Sequence, residues 1–166
     1  MSDDDPILTA AARFRETYSS SGLQSAPRRK LAVVACMDAR LDLFGVLGLE
    51  IGDAHLLRNA GGLVTDDTVR SLVLSQTALG TRQIVLVHHT DCGMQKLDDQ
   101  SLLDDLERRT GQRPGWVPGA FRDPYEDVRV SLERLRDCPW LLSHDARGFV
   151  FDVGTGELAE VGPSRP

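Results

Sequence analysis

Cys36, Asp38 and Arg40 occupy alternate positions in the stretch Val33 to Arg40, VVACMDAR. If the strand geometry of the preceding apolar run continues, period two sends this thiol, carboxylate and guanidinium to the same side of the chain. A later apolar run, Ile84 to Val87, leads into His88, His89, Thr90, Asp91, Cys92 and Gly93. Two strand ends thus offer thiols and imidazole together. Two thiolates and one imidazole suit Zn²⁺, and three protein ligands leave a fourth position free, which is the count of a catalytic zinc site. The adjacent histidines leave the ligand open, because only one of them can face a metal. His88 is the one expected to lie in the core or behind a ligand. Asp38 has two roles open to it: fourth ligand when the site is closed, or an acceptor beside the metal held by Arg40 in a bidentate pair. A cysteine nucleophile with a histidine base would leave the Asp38/Arg40 spacing unexplained.

The elements that must position these groups follow from periodicity and breakers. Residues 6 to 18 read as a helix with an apolar stripe of Ile7, Ala11, Phe14 and Tyr18, followed by the loop SSSGLQSAPRR. Leu31 to Cys36 is apolar throughout, as a strand buried on both faces should be. Asp42 to Leu49 reads as a short helix and His55 to Asn59 as a short strand running into Ala60, Gly61 and Gly62. Thr65 or Asp66 can cap a helix built on Val69, Leu72, Val73 and Leu79, which stops before Gly80. Gln83 to His88 is the next strand. Helices are expected over Asp98 to Arg109 and over Pro124 to Arg136, the latter capped by Asp123, with a loop between them. Gly148 to Val153 and Glu157 to Val161 flank Gly154, Thr155 and Gly156 as a hairpin. The expected class is α/β: a mainly parallel sheet with helices on both faces and an antiparallel C-terminal extension. In a 2-1-3-4 strand order, Cys36, His89 and Cys92 would converge at the carboxyl ends of neighbouring strands.

The 166 residues, 41% of them hydrophobic, suit a single domain over 1–166 with one ordinary core. A net charge of −6 argues against nucleic acid as a partner. No apolar run approaches the roughly 18 residues of a membrane span, and the N-terminus MSDDDP is acidic where a secretory signal is basic. A cytoplasmic protein with no membrane partner is the expectation. Three cysteines, an odd number, favour reduced thiols. Cys36 and Cys92 fit chemical use, and Cys138 reads as a core thiol.

CMDAR followed by HTDCG resembles the β-class carbonic anhydrases, specifically their short bacterial-type members, over about Leu31 to Gly93. The resemblance implies zinc ligands at Cys36, His89 and Cys92, choosing His89 over His88, and an Asp/Arg dyad at Asp38 and Arg40. It implies reversible hydration of carbon dioxide to bicarbonate by attack of zinc-bound hydroxide, with the Gly93 backbone placed to donate to substrate. A homodimer or higher homo-oligomer is implied, residues 1–30 forming a helix and arm over a partner subunit. Carbonyl sulfide and carbon disulfide hydrolases resemble the same family, and a non-catalytic zinc-binding assembly protein is a further reading. The chain departs from plant-type members at Ala39 and at Asn59-Ala60-Gly61-Gly62. Leu63 and Val64 are open to pocket lining or core packing, and His55, His144 and Tyr125 to proton transfer.

Overall fold

The computed structural model describes residues 5–19 and 22–162. Most of the N-terminal MSDDDP segment, and Ser20 and Ser21 of the expected arm, lie outside them. Twelve residues, Pro6–Thr17, form α1, capped by Asp5, whose carboxylate accepts from the amides of Ile7 and Leu8. The whole helix is exposed.

β1 (Leu31–Cys36) is buried at every position. α2 (Leu43–Leu47) is capped by Asp42 and ends at Gly48 in the left-handed conformation. β2 spans Ala54–Asn59, and α3 spans Asp66–Leu79, with Thr65 as its cap and Gly80 as its stop. After β3 (Gln83–His89) come α4 (Asp99–Thr110) and α5 (Pro124–Arg136). β4 (Asp145–Phe151) and β5 (Leu158–Val161) close the chain.

The strand order is β2-β1-β3-β4-β5, with β2, β1, β3 and β4 parallel and β5 antiparallel to β4. This is the expected 2-1-3-4 sheet with its antiparallel extension. β4 starts earlier than the hairpin pattern predicts, because Asp145, Ala146 and Arg147 pair with Gln83, Ile84 and Val85 of β3. Alternation along β1 divides the core. Leu31, Val33 and Ala35 pack with Leu43, Leu49 and Phe121 on one face, while Ala32 and Val34 pack with Val69 and Leu72 of α3 and Leu135 of α5 on the other. Val64 and Cys138 belong to that second cluster, so both are core residues. Gly148 lets α5 lie directly on β4, since a Cβ there would collide with the Val128 side chain. Among the described residues, no helix is long and apolar enough to cross a membrane.

Candidate metal centre

β1 and β3 are neighbours whose ladder stops at Ala35 and Val87, just short of Cys36 and His89. Cys36 ends β1, His89 ends β3, and Cys92 begins the short turn Gly93–Lys96. The ligand atoms of Cys36, His89 and Cys92 lie within 4.8 Å of one another, and all three residues are buried. The two Sγ atoms are 3.9 Å apart and unbridged. A tetrahedral zinc with Zn–S of about 2.3 Å and Zn–N of about 2.0 Å wants its ligand atoms separated by distances of this order. His89 donates from Nδ1 to the Thr90 carbonyl at 2.9 Å. Its Nε2 is buried with no hydrogen-bond partner, leaving a lone pair aimed into the cluster. An orphaned acceptor beside two thiols fits a soft or borderline cation.

His88 faces the other way. It is fully buried, and its Nε2 sits 2.7 Å from Asp127 Oδ2 on α5. Strand alternation therefore assigns one histidine to the cluster and the other to the core.

Asp38 Oδ2 is 3.7 Å from His89 Nε2. Both its oxygens are taken by Arg40, whose Nε and Nη2 each donate at 2.9 Å, and the Arg40 amide adds a third bond at 2.9 Å. These bonds hold the Asp38 carboxyl well below the usual carboxylate range. Cys36 and Cys92 are pushed apart. Burial raises both thiols, but His89 and the amides of Asp38 and Gly61 outweigh it at Cys36, leaving that thiol at about 7. At Cys92 burial prevails, and the thiol is pushed up to about 11. Burial lowers His89, and the Cys36 thiolate more than offsets it, so the imidazole titrates above its ordinary value.

Three other side chains brace the loops carrying these groups. Arg58 donates through Nε and Nη2 to the Cys36 carbonyl at 3.0 and 2.9 Å, and through Nη2 to the Asp38 carbonyl at 2.6 Å. Gln95 accepts from the Cys92 amide at 2.9 Å and donates to the Arg122 carbonyl at 2.9 Å. Asp91 receives Arg40 Nη1 at 3.0 Å and Lys96 Nζ at 2.7 Å. None of these is announced by sequence spacing. Arg58 reaches the site only because β2 pairs in parallel with β1, setting Ala35 against Arg58. Gly62 admits the same closeness: its φ is 74°, and a Cβ there would sit 2.8 Å from the Cys36 amide nitrogen. The Asn59 side chain fixes this turn by accepting from the Leu63 amide and donating to the Leu63 carbonyl, both at 2.8 Å.

Gly93 opens the turn after Cys92, with nothing within 4 Å of where a Cβ would be. Leu63 packs, partly buried, against the core cluster that contains Cys36 and Cys92. The other polar residues weighed for proton transfer are engaged elsewhere. His55 bonds Ser75 Oγ and the Ser25 carbonyl, His144 the Leu135 carbonyl, and Tyr125 packs against the cluster of Val128, Val150 and Val161.

A mainly parallel α/β sheet with two thiols and an imidazole gathered at adjoining strand ends defines a candidate metal centre. Residues 31–118, more than half of the chain, match the family model for carbonic anhydrase. A β-carbonic anhydrase of Mycobacterium tuberculosis is 52% identical over 138 residues, covering 82% of this chain and 85% of the relative. A carbon disulfide hydrolase of Acidithiobacillus thiooxidans is 36% identical over 152 residues, covering 78% and 76%. The crystal structure of a carbonic anhydrase from Streptococcus mutans superposes with a TM-score of 0.89 at 38% identity, covering 98% of this chain and 99% of that one. The chain belongs to the β-carbonic anhydrase family.

Proposed function

We propose that this protein catalyses the reversible hydration of carbon dioxide to bicarbonate and a proton, with zinc held by Cys36, His89 and Cys92. The observation that carries the reading is the buried, unpartnered His89 Nε2 set among two thiols. Bound there, zinc supplies the Lewis acidity that makes water nucleophilic near neutral pH. Asp38 stays ionised because Arg40 occupies both its oxygens. Its Oδ2, beside His89 Nε2, is the acceptor that takes the O–H of the attacking nucleophile and turns its lone pair toward the carbon. The same clamp keeps Asp38 from becoming a fourth ligand, and loss of the clamp would release it to close the site. The Gly93 amide, which follows Cys92 at an exposed turn, is read as a donor to the substrate oxygen.

Residues 1–166 are read as a single domain and at least a homodimer. Support for the assembly comes from α1 and the Tyr18 that ends it, where Ile7 is 76%, Phe14 56% and Tyr18 50% exposed and the helix has no buried residue. Unpaired Cys36, Cys92 and Cys138 support a reducing, cytoplasmic setting.

Stopped-flow hydration of carbon dioxide, run beside carbonyl sulfide and carbon disulfide turnover on one zinc-loaded preparation, tests the activity. Hydration is expected to dominate. The resemblance to a carbon disulfide hydrolase makes sulfur substrates the second reading, and sulfide release outrunning hydration would establish it. Zinc-loaded protein inert toward all three substrates would leave a metal-binding assembly protein.

A further inference from the structure

Among the described residues, only Lys30 and Asp91 combine a side chain with a positive φ, 51° and 52° respectively. Lys30 immediately precedes β1, at a chain turn. Asp91 lies between His89 and Cys92, inside the loop that carries two residues of the metal cluster. The left-handed conformation is disfavoured for a residue with a Cβ and persists where its surroundings impose it. Here the surroundings are charged. Arg40 Nη1 donates to Asp91 Oδ2 at 3.0 Å, and Arg40 Nη2 donates to the Asp91 carbonyl at 3.1 Å. On the outer side Lys96 Nζ holds Asp91 Oδ1 at 2.7 Å. Asp91 thus presents two acceptors, one from its side chain and one from its main chain, to a single guanidinium.

The other edge of that guanidinium is spent on Asp38, through Nε and Nη2. Nη2 is shared, donating both to Asp38 Oδ2 and to the Asp91 carbonyl. Arg40 therefore cannot turn away from Asp38 without also leaving Asp91. A planar fork held along both edges has one orientation, whereas the same fork held by one carboxylate on a flexible stem has several. The contacts also tie the loop after β1, which carries Asp38, to the loop after β3, which carries Cys92.

We propose that Asp91 is a positioning residue for the Asp38/Arg40 pair, locking the Arg40 guanidinium along the edge next to the one Asp38 holds, with Lys96 holding Asp91 in turn. The inference rests on reading the Cys36, His89 and Cys92 cluster as the catalytic metal centre. Asp91 touches neither metal nor substrate in this scheme. Its effect passes through Arg40 to the orientation of the Asp38 carboxylate, and so it should appear in kcat and leave zinc retention alone.

The test pairs Asp91→Asn, which tolerates the left-handed conformation and keeps the carbonyl, with Asp91→Gly, which adopts it without strain. Both are examined as zinc-loaded full chains by stopped-flow carbon dioxide hydration, zinc content, thermal midpoint, and NMR order of the Arg40 Nε–H. Expected are a fall in kcat of about tenfold or more with KM changed by less than about twofold, unchanged zinc content and midpoint, and a mobile Arg40 Nε–H. In an Arg40→Lys background, which breaks the fork, Asp91→Asn should change kcat by less than about twofold. Lys96→Gln should act in the same direction, more weakly. Wild-type kcat with an ordered Arg40 Nε–H in both Asp91 variants overturns the proposal, as does an undiminished fall in the Arg40→Lys background. Should the wild type fail to hydrate carbon dioxide, the functional reading falls by itself. The Arg40 Nε–H then decides the lock: ordered in wild type and mobile in Asp91→Asn upholds it, and equal order in both overturns it.

Discussion

Arg58 lays its guanidinium against the carbonyl of Cys36, donating from Nε and Nη2 at 3.0 and 2.9 Å. The β1/β3 ladder has ended by this point, so an arginine on the neighbouring strand takes a carbonyl for which β3 provides no partner. The same Nη2 reaches the Asp38 carbonyl, so one side chain holds the backbone on both sides of Met37. Arg58→Ala should release this segment and speed zinc loss roughly 10- to 100-fold, the usual effect of removing a group that orients a ligand. Competition with a chromophoric chelator measures it. A dissociation rate equal to wild type would reduce Arg58 to a surface residue.

The two adjacent histidines should part cleanly on mutation. His89→Gln should abolish zinc binding. His88→Gln should keep zinc while lowering stability by about 1–3 kcal/mol, because Asp127 loses its partner at a fully buried position. Zinc content and urea denaturation of both variants provide the check, and zinc loss in His88→Gln alone would reverse the assignment.

Zinc uptake must displace the protons that the cluster carries when metal-free. Burial keeps Cys92, at about 11, protonated throughout the working range, while Cys36, at about 7, takes up its proton as pH falls through neutrality. In the metal-free protein one of these thiolates should therefore appear near pH 7 and the other only in strong alkali, so that zinc takes a proton from Cys92 at every working pH but from Cys36 only below about 7. Ultraviolet thiolate absorbance of the metal-free protein, read beside Cys36→Ser and Cys92→Ser in a Cys138→Ala background, follows the two steps. Coincident ionisation of Cys36 and Cys92 would contradict the split between the thiols.

Arg40 lowers the Asp38 carboxyl, so the pair stabilises the fold in full only where the unfolded carboxyl would also be ionised. That contribution is complete above an unfolded value of about 3.9 and disappears as pH drops from there toward the folded value. Metal-free Arg40→Ala should therefore be less stable than wild type at neutral pH and converge with it in acid below about pH 4. Thermal midpoints from pH 7 downward would show it, and a gap that persists undiminished at pH 2.5 would mean the deficit has another origin.

Deleting residues 1–20 removes the exposed Ile7, Phe14 and Tyr18 stripe. If that stripe is buried against a second copy, dimer dissociation should strengthen by at least about tenfold. Sedimentation of both proteins at micromolar concentration decides, and a monomeric full-length chain would remove the premise.

What could be read without the fold was whatever depends on local period and type. The apolar run Leu31 to Cys36 announces a doubly buried strand, Thr65 and Gly80 bracket a helix, and Cys36 and Cys92 with one of two adjacent histidines name a zinc-like ligand set, the family resemblance choosing His89. What could not be read depends on register between strands. Arg58 needs β2 placed against β1, Asp91 needs Arg40 brought across from another loop, and the early start of β4 comes from its ladder with β3. Gln95 is near Cys92 in sequence, but its reach to the Arg122 carbonyl is a tertiary fact.

Because His88 and His89 are neighbours on a strand, a slip of β3 by a single residue can move only one of them into the other's place. A slip that brings His88 to the cluster leaves Val87 where His88 meets Asp127, and the opposite slip brings His89 toward Asp127 but offers Thr90 to Cys36 and Cys92. The two adjacent imidazoles therefore act as a vernier on the alignment of β3 with its neighbours, since only one setting of the strand satisfies both marks at once.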